Sequence, residues 1–332
     1  MQQLISIIVS GFFLVSLIGH ASARNFADLY TQAELSTAAQ LYSENLRAVW
    51  REDFLSRLTI AERWRAGRVR LELPLIGAQA TPFEYYSQVA EKTVFIPIMS
   101  VKFLDDFSIT MAYLEYRQCR RDAIFDYAVL LGRSRDYSHV APLAALGIPD
   151  NALDSEYVNT TSANALKSAV YFIMAHEYAH VMFHHASYAD ITAAQAQQQE
   201  IEADNFALQV MNRIGVAPLG MVGYFAMISH YDRVPADFDS IDAYQQYLST
   251  QATHPLSSQR LINIAEVLRQ DPLGFARSEN DIGQWQQRIL AVADDIETIG
   301  NSLDDTHFRE FMISKAFQQS PAALKDSCRQ AN

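Results

Sequence analysis

The chain has 332 residues, with 38 acidic against 26 basic side chains and a formal net charge of -12. That balance argues against nucleic acid and against an anionic membrane surface as partners. The length is ample for one large core; no low-complexity linker divides it and no internal repeat is visible.

The first 23 residues carry no charged side chain; an apolar run from Leu4 to Ile18 leads to Ala21-Ser22-Ala23. The run is too short to span a bilayer comfortably, and the small residues predict a cleaved leader ending before Arg24. Gln2 and Gln3 stand where a basic start is usual, so a retained N-terminal anchor is the alternative. No cysteine follows the small residues, so a lipoprotein anchor is not indicated.

From 25 to 65 the pattern is helical, with Leu41, Leu46, Val49, Trp50, Phe54 and Leu58 set among charges. Arg68 to Leu73 alternates like a strand and stops at Pro74. Lys92 to Ile98 (KTVFIPI) has the β-branched and aromatic content of a strand, and Pro97 predicts that it lies at a sheet edge. A helix is predicted from Ser100 to Cys119, and another over Ala163 to His185, which is free of Gly and Pro and apolar on several sides.

The second of these helices carries His176-Glu177-Tyr178-Ala179-His180, the HExxH form of a zinc hydrolase site. Histidines four apart on a helix sit about 40° apart round the axis and about 6 Å along it, so His176 and His180 can reach one ion. Glu177 lies beside that face. Such sites take three protein ligands and keep a fourth position open, so a further His or carboxylate is required. Glu200-Ile201-Glu202-Ala203-Asp204, on a helix that runs from Ala194 to a stop at Gly215, supplies one in Glu200. Asp204, one turn on, can accept the N–H of a ligating imidazole, while Glu202 points elsewhere. Taken alone, this acidic stretch reads as a solvated helix face.

Thr253-His254-Pro255-Leu256-Ser257-Ser258-Gln259-Arg260-Leu261 reads as a helix start, with Pro255 at the first helical position. Asp281 to Lys325 is again helical, with Trp285, Ile289, Leu290, Val292 and Ile296 as its apolar stripe.

HEYAH, EIEAD and THPLSSQRL, in that order, resemble the gluzincin peptidases of family M forty-eight over roughly Ser162 to Leu261. The resemblance implies an α+β fold, predominantly helical and zincin-like, with a small sheet beside the HExxH helix. It implies one zinc ion per chain held by His176, His180 and Glu200, Glu177 as general base, Asp204 as the support behind a ligand, and His254 with Arg260 at the cleft. His185 also matches a family position.

The mechanism expected is attack by a zinc-activated water, with Glu177 carrying the proton to the leaving amine. His254, Arg260, His230 or Tyr231 would donate to the oxyanion, His254 foremost. The resemblance leaves open whether His254 assists or plugs the open metal position. A zinc-binding chaperone without turnover is the other class of function.

The expected substrate is unfolded or misfolded polypeptide. An exported, periplasmic or secreted protein without strong membrane association is expected once the leader is cut. The expected organisation is a leader at 1–23, a helical segment at 24–80, a metallopeptidase domain at 81–270 and a helical extension at 271–332, all but the leader forming one unit. Cys119 and Cys328 lack metal-ligand spacing and either pair with each other or remain free thiols.

Overall fold

The computed structural model describes residues 26–134, 137–276 and 282–328, so the leader read at 1–23 lies outside the described residues. The protein is predominantly helical with one small sheet. Helix α1 (Gln32–Ala48) runs through a wide π-helical turn, Val49–Phe54, into α2 (Leu55–Arg57). Leu58 is extended, and Thr59 then caps α3 (Ile60–Ala66), accepting from the Glu62 N–H while the Glu62 carboxylate accepts from the Thr59 N–H. This capping box is why the single helix predicted to Arg65 breaks. The π turn has a packing role: Trp50 and Phe54 rest their rings on Tyr178 at 6.1 and 5.3 Å, and Asp53 accepts from the Tyr171 hydroxyl.

Strands β1 (Arg70–Glu72), β2 (Tyr86–Gln88) and β3 (Thr93–Phe95) form a sheet in the order β1-β3-β2, with β3 parallel to β1 and antiparallel to β2. The edge position expected for KTVFIPI is therefore wrong. Its Thr93–Phe95 core is the central strand, because Pro97 falls beyond the ladder as the residue that starts α4 (Ile98–Tyr116). The outer strand nearest the HExxH helix is β2.

The remaining helices are α5 (Ala123–Arg133), α6 (Pro142–Ala145), α7 (Glu156–Phe183), α8 (Ala193–Ile214), α9 (Leu219–Ile228), α10 (Ile241–Thr250), α11 (Ser257–Gln270), α12 (Ile282–Asp304), α13 (Thr306–Phe317) and α14 (Pro321–Lys325). Helix α7 is the axis of the core: α4, α8, α9 and α3 pack round it, while β2 and β3 touch it. Met174, Ala175, Ala179 and Val181 are all fully buried, and every residue from Ser168 to Met182 is buried, so this half of the helix is enclosed on every side. It starts at Glu156, earlier than the sequence pattern suggests, because Ser155 caps the Val158 N–H.

Gly220 brings α9 close: a Cβ there would stand 1.9 Å from the Ala165 carbonyl oxygen of α7, and the Gly220 N–H donates to Ser168 Oγ at 2.8 Å. In the C-terminal part, Ile289 and Ile296 are buried as predicted, but Asp305 and Ser320 cap new helices and split the expected run into three. Among the described residues no helix is long and apolar enough to cross a membrane.

Cys119 and Cys328 form a disulfide that ties the end of the described chain to the turn after α4, across 209 residues of sequence. Beside it, Arg120 pairs with Asp126, and Lys315 with Asp122 and Asp126. Replacing both cysteines by serine should lower the unfolding free energy by up to about 5 kcal/mol, the loop-closure contribution expected for so long a loop. Denaturant titration of the double variant measures it.

His230 follows α9 with its ring 5.6 Å from that of Phe125, and burial, aided by Arg133, Arg309 and Lys315, pushes its pKa down from 6.5 to about 4. Between those values the unfolded chain binds a proton that the folded chain refuses. Stability is therefore intact above pH 6.5 and falls as the pH drops towards 4, by about 3 kcal/mol in all. In His230→Leu that part of the slope should vanish, leaving a flatter curve of Tm against pH across the same window.

Candidate metal centre

Helix α7 supplies the first three groups. His176, Glu177 and His180 are each no more than 2% exposed. The helix ends where His184 adopts a left-handed conformation (φ 56°, ψ 44°), a tolerable cost for a histidine. That turn folds the next residue back: His185 places Nδ1 2.8 Å from Nδ1 of His180, and its Nε2 lies 3.4 Å from Glu202. Contrary to the reading of Glu202 as pointing elsewhere, it forms the far end of this chain of contacts. His184 itself is exposed.

Helix α8 faces α7 and stops at Gly215 (φ 85°) as the sequence suggests, while Thr192 with Gln195 caps its start. Its Glu200 enters the gap between the histidines: Oε2 is 3.4 Å from His176 Nε2, and Oε1 is 3.2 Å from His180 Nε2. The two Nε2 atoms are 3.2 Å apart. Asp204, one turn on, takes His176 Nδ1 at 2.9 Å. The other side of Asp204 receives Arg260 through two bonds, Nε to Oδ2 at 2.7 Å and Nη2 to Oδ1 at 2.6 Å. Arg260 is itself buried, its guanidinium 4.1 Å from the centre of the Phe225 ring.

Arg260 belongs to α11, which begins at Ser257 and not at Pro255 as predicted. Asp232 accepts the Ser257 N–H at 3.0 Å, so a carboxylate far back in the chain caps the helix and leaves Pro255 in the preceding loop. That loop carries His254 to Glu200, with Nδ1 3.0 Å from Oε2, though the contact is not aligned as a hydrogen bond. Tyr188, from the turn between α7 and α8, donates its hydroxyl to Glu200 Oε1 and sets its ring edge-on to His254 at 5.5 Å. The sequence reading missed Tyr188: it sits in a short 3-10 turn, where no periodicity marks a side chain as inward-facing. His230 and Tyr231 are placed elsewhere, against Phe125 and Phe83 respectively.

The charges explain what the cluster requires. Burial pushes Glu177 up to about 8, opposed by His176. Burial would lower His176, but Glu200 and Asp204 outweigh it and raise it to about 10. Glu200, despite burial, is held well below the usual carboxylate range by His254 and His176, and Asp204 is lowered chiefly by Arg260. Glu200 is thus kept charged by the positive groups around it, a role that a bound cation can also fill. Ser87 of β2 faces Glu177 closely enough to favour its charged form; strict geometry nonetheless leaves Ser87 Oγ and Glu177 Oε1 without a partner.

His176, His180 and Glu200 form a buried group that can hold a metal ion, with ligand atoms all within 4.8 Å of one another. Metal–ligand bonds of about 2.0 to 2.1 Å put the corners of a tetrahedron about 3.3 to 3.4 Å apart. The 3.2 Å between His176 Nε2 and His180 Nε2 matches that spacing, and the Glu200 carboxylate spans the pair, with Oε2 3.4 Å from the first and Oε1 3.2 Å from the second. Glu200 Oε2 and both ring nitrogens of His254 are buried without hydrogen-bond partners, the condition a cation would relieve. The donor set therefore fits such an ion.

The fold and site define a helical protein with a buried His-His-Glu centre behind which an Asp–Arg pair is locked. A family model described as Peptidase U49 matches residues 120–273, a stretch that holds every residue of the cluster except Ser87. The match supports a peptidase, and with it a polypeptide substrate; it does not support family M forty-eight, which the motifs resemble. No curated protein and no solved structure matches the chain.

Asp204→Asn keeps the shape but removes the charge that His176 and Arg260 share. Affinity for a divalent metal should fall about 10- to 100-fold, the usual cost of losing a carboxylate behind a ligating histidine. Competition with a chelator reads this directly.

Proposed function

We propose that the chain is a zinc-dependent endopeptidase working by the gluzincin mechanism. The observation that carries this reading is the buried convergence of His176 Nε2, His180 Nε2 and the Glu200 carboxylate, the two nitrogens one tetrahedral edge apart, with Glu177 next to them on the same helix as the histidines. Zinc held by His176, His180 and Glu200 would supply Lewis-acid polarisation of a water and of the scissile carbonyl.

The rest is done by the chain. Glu177, beside His176 on α7, takes the proton of the attacking water and returns it to the leaving amine. The Arg260–Asp204 pair holds His176 in one tautomer, with Nδ1–H donating to Asp204 and Nε2 left as the ligand atom. His185 does the same for His180. His254 and Tyr188 are the two donors near enough to Glu200 to reach a developing oxyanion.

Substrate access has a structural condition. The three ligands are buried, and His254 and Tyr188 both lie against Glu200, so one of their loops has to move before a peptide reaches the centre. Strand β2, the outer strand nearest α7 and the one that places Ser87 against Glu177, is where an extended main chain would pair. Main-chain pairing favours unfolded segments over particular side chains, which fits a role in protein quality control. The Cys119–Cys328 bond fits an oxidising compartment and hence export.

Glu177→Gln should retain bound zinc while cleavage of an unfolded protein such as casein falls by about 100- to 10,000-fold, the range for loss of a general base. Equal turnover in the two proteins would sink the mechanism. Zinc bound one-to-one by a wild type that cleaves no peptide library would support a binding protein instead.

A further inference from the structure

The N-terminal arm has an unusual surface. Between residues 47 and 70 it carries seven arginines (Arg47, Arg51, Arg57, Arg63, Arg65, Arg68, Arg70) against three acids (Glu52, Asp53, Glu62), a local excess of four positive charges in a chain whose net charge is -12. Two of the three acids are engaged: Glu62 takes Arg213 of α8 through two bonds, at 2.7 and 2.8 Å, and Asp53 takes the Tyr171 hydroxyl. All seven arginines are on the exposed surface.

Helix α3 sits in the middle of this arm with its apolar residues facing the wrong way for a core. Ala66 is buried, whereas Ile60 and Trp64 are 80% and 85% exposed, among the most solvent-facing large apolar side chains described. Four residues apart, they form a ridge about 40° wide on the side opposite the buried face, and Arg63 and Arg65 lie about 100° to either side of Trp64. Arg65 leans over Phe183 of α7 at 5.0 Å, and Arg63 reaches the Leu55 carbonyl at 3.4 Å, so both are drawn down the flanks of the ridge. Lys92, from the turn between β2 and β3, brings an ammonium close to α3, its Nζ 2.8 Å from where a Cβ on Gly67 would stand, with the exposed Glu91 beside it in the chain.

We propose that α3 and the arginines round it form a docking face for an anionic lipid surface. An aliphatic and an indole side chain projecting together, with cations at their base, is the arrangement an interfacial segment uses. The apolar pair enters the headgroup boundary and the guanidiniums remain at phosphate level. Nucleic acid is the less suitable polyanion, since a phosphodiester backbone has no use for a projecting isoleucine.

The overall negative charge does not oppose this contact strongly. Surface charges more than about 8 Å away are screened at physiological salt, so a bilayer touching α3 responds mainly to the charges on that helix and immediately beside it. Because α3 packs on α7, docking holds the metal-bearing helix at a fixed place relative to the lipid.

The test uses the full chain, whose apolar Leu4–Ile18 stretch is common to every protein compared. Vesicles of phosphatidylcholine with about a third phosphatidylglycerol, and of phosphatidylcholine alone, are sedimented with wild type, Ile60→Ser/Trp64→Ser and Arg63→Ser/Arg68→Ser, each shown by circular dichroism and Tm to be folded. Wild type should favour the anionic vesicles, and each double variant should lose about tenfold or more in partitioning, as expected for two interfacial side chains or two surface cations. Higher salt should weaken wild type more than the arginine variant. Tryptophan emission should shift to the blue on binding in wild type but not without Trp64.

Absence of anionic preference, or equal binding by all three proteins, would overturn the proposal. So would tighter binding to a DNA oligonucleotide than to vesicles, abolished by the arginine substitutions alone.

Discussion

Three carboxyl groups, those of Glu177, Glu200 and Asp204, are carried into a part of the molecule where each is 3% exposed or less, and the surrounding structure is built to neutralise them. An unpaired buried carboxylate is too costly to keep. Asp204 is answered by Arg260 and by His176, and Glu200 is ringed by His176, His180, His254 and Tyr188. Glu177 has the least compensation and is shifted towards its neutral form. The helix carrying two of the histidines, the helix carrying Glu200 and Asp204, and the helix carrying Arg260 are held together by this exchange of charge as much as by apolar contact.

The same requirement explains the path of the chain around the site. Asp232 caps α11 from a distance and fixes where Arg260 stands. Its neighbour Arg233 offers a carbonyl to Arg309 of α13, which also reaches the Tyr244 hydroxyl, so the C-terminal helices brace the segment leading towards His254. The disulfide at Cys328 pins the end of that brace. On the opposite side, the π turn of residues 49–54 presses Trp50 and Phe54 on Tyr178, within HEYAH itself. Helix α7 is thus gripped by segments from both the N-terminal and the C-terminal parts of the described chain.

Much of the site was legible because it lies on helices. Spacing alone puts His176 and His180 on one face, and Glu200 and Asp204 on another, since side chains four apart on a helix are neighbours whatever surrounds them. The strands were less legible. Thr93 to Phe95 has strand composition, but composition is silent on whether one neighbour or two will pair with it, and Pro97 lay just beyond the ladder where it costs nothing. Helix starts at Glu156, Thr306 and Pro321 were missed or blurred because single capping side chains, Ser155, Asp305 and Ser320, decide them.

The sequence by itself determined the helices, the periodic placement of the histidines and carboxylates, and the apolar faces that must be covered, because each follows from local geometry and burial. Only the tertiary structure decided that Tyr188 and His254 converge on Glu200, that His185 and Glu202 extend the line behind His180, that β2 and not β3 is the outer strand, and that Ile60 and Trp64 face solvent between arginines. Those depend on where turns and loops send side chains of distant segments, and no repeating pattern in a chain encodes that. The resemblance of the motifs brought the metal into view; two ring nitrogens one tetrahedral edge apart on one helix, spanned by the Glu200 carboxylate of the helix packed against it, show that the donors fit it.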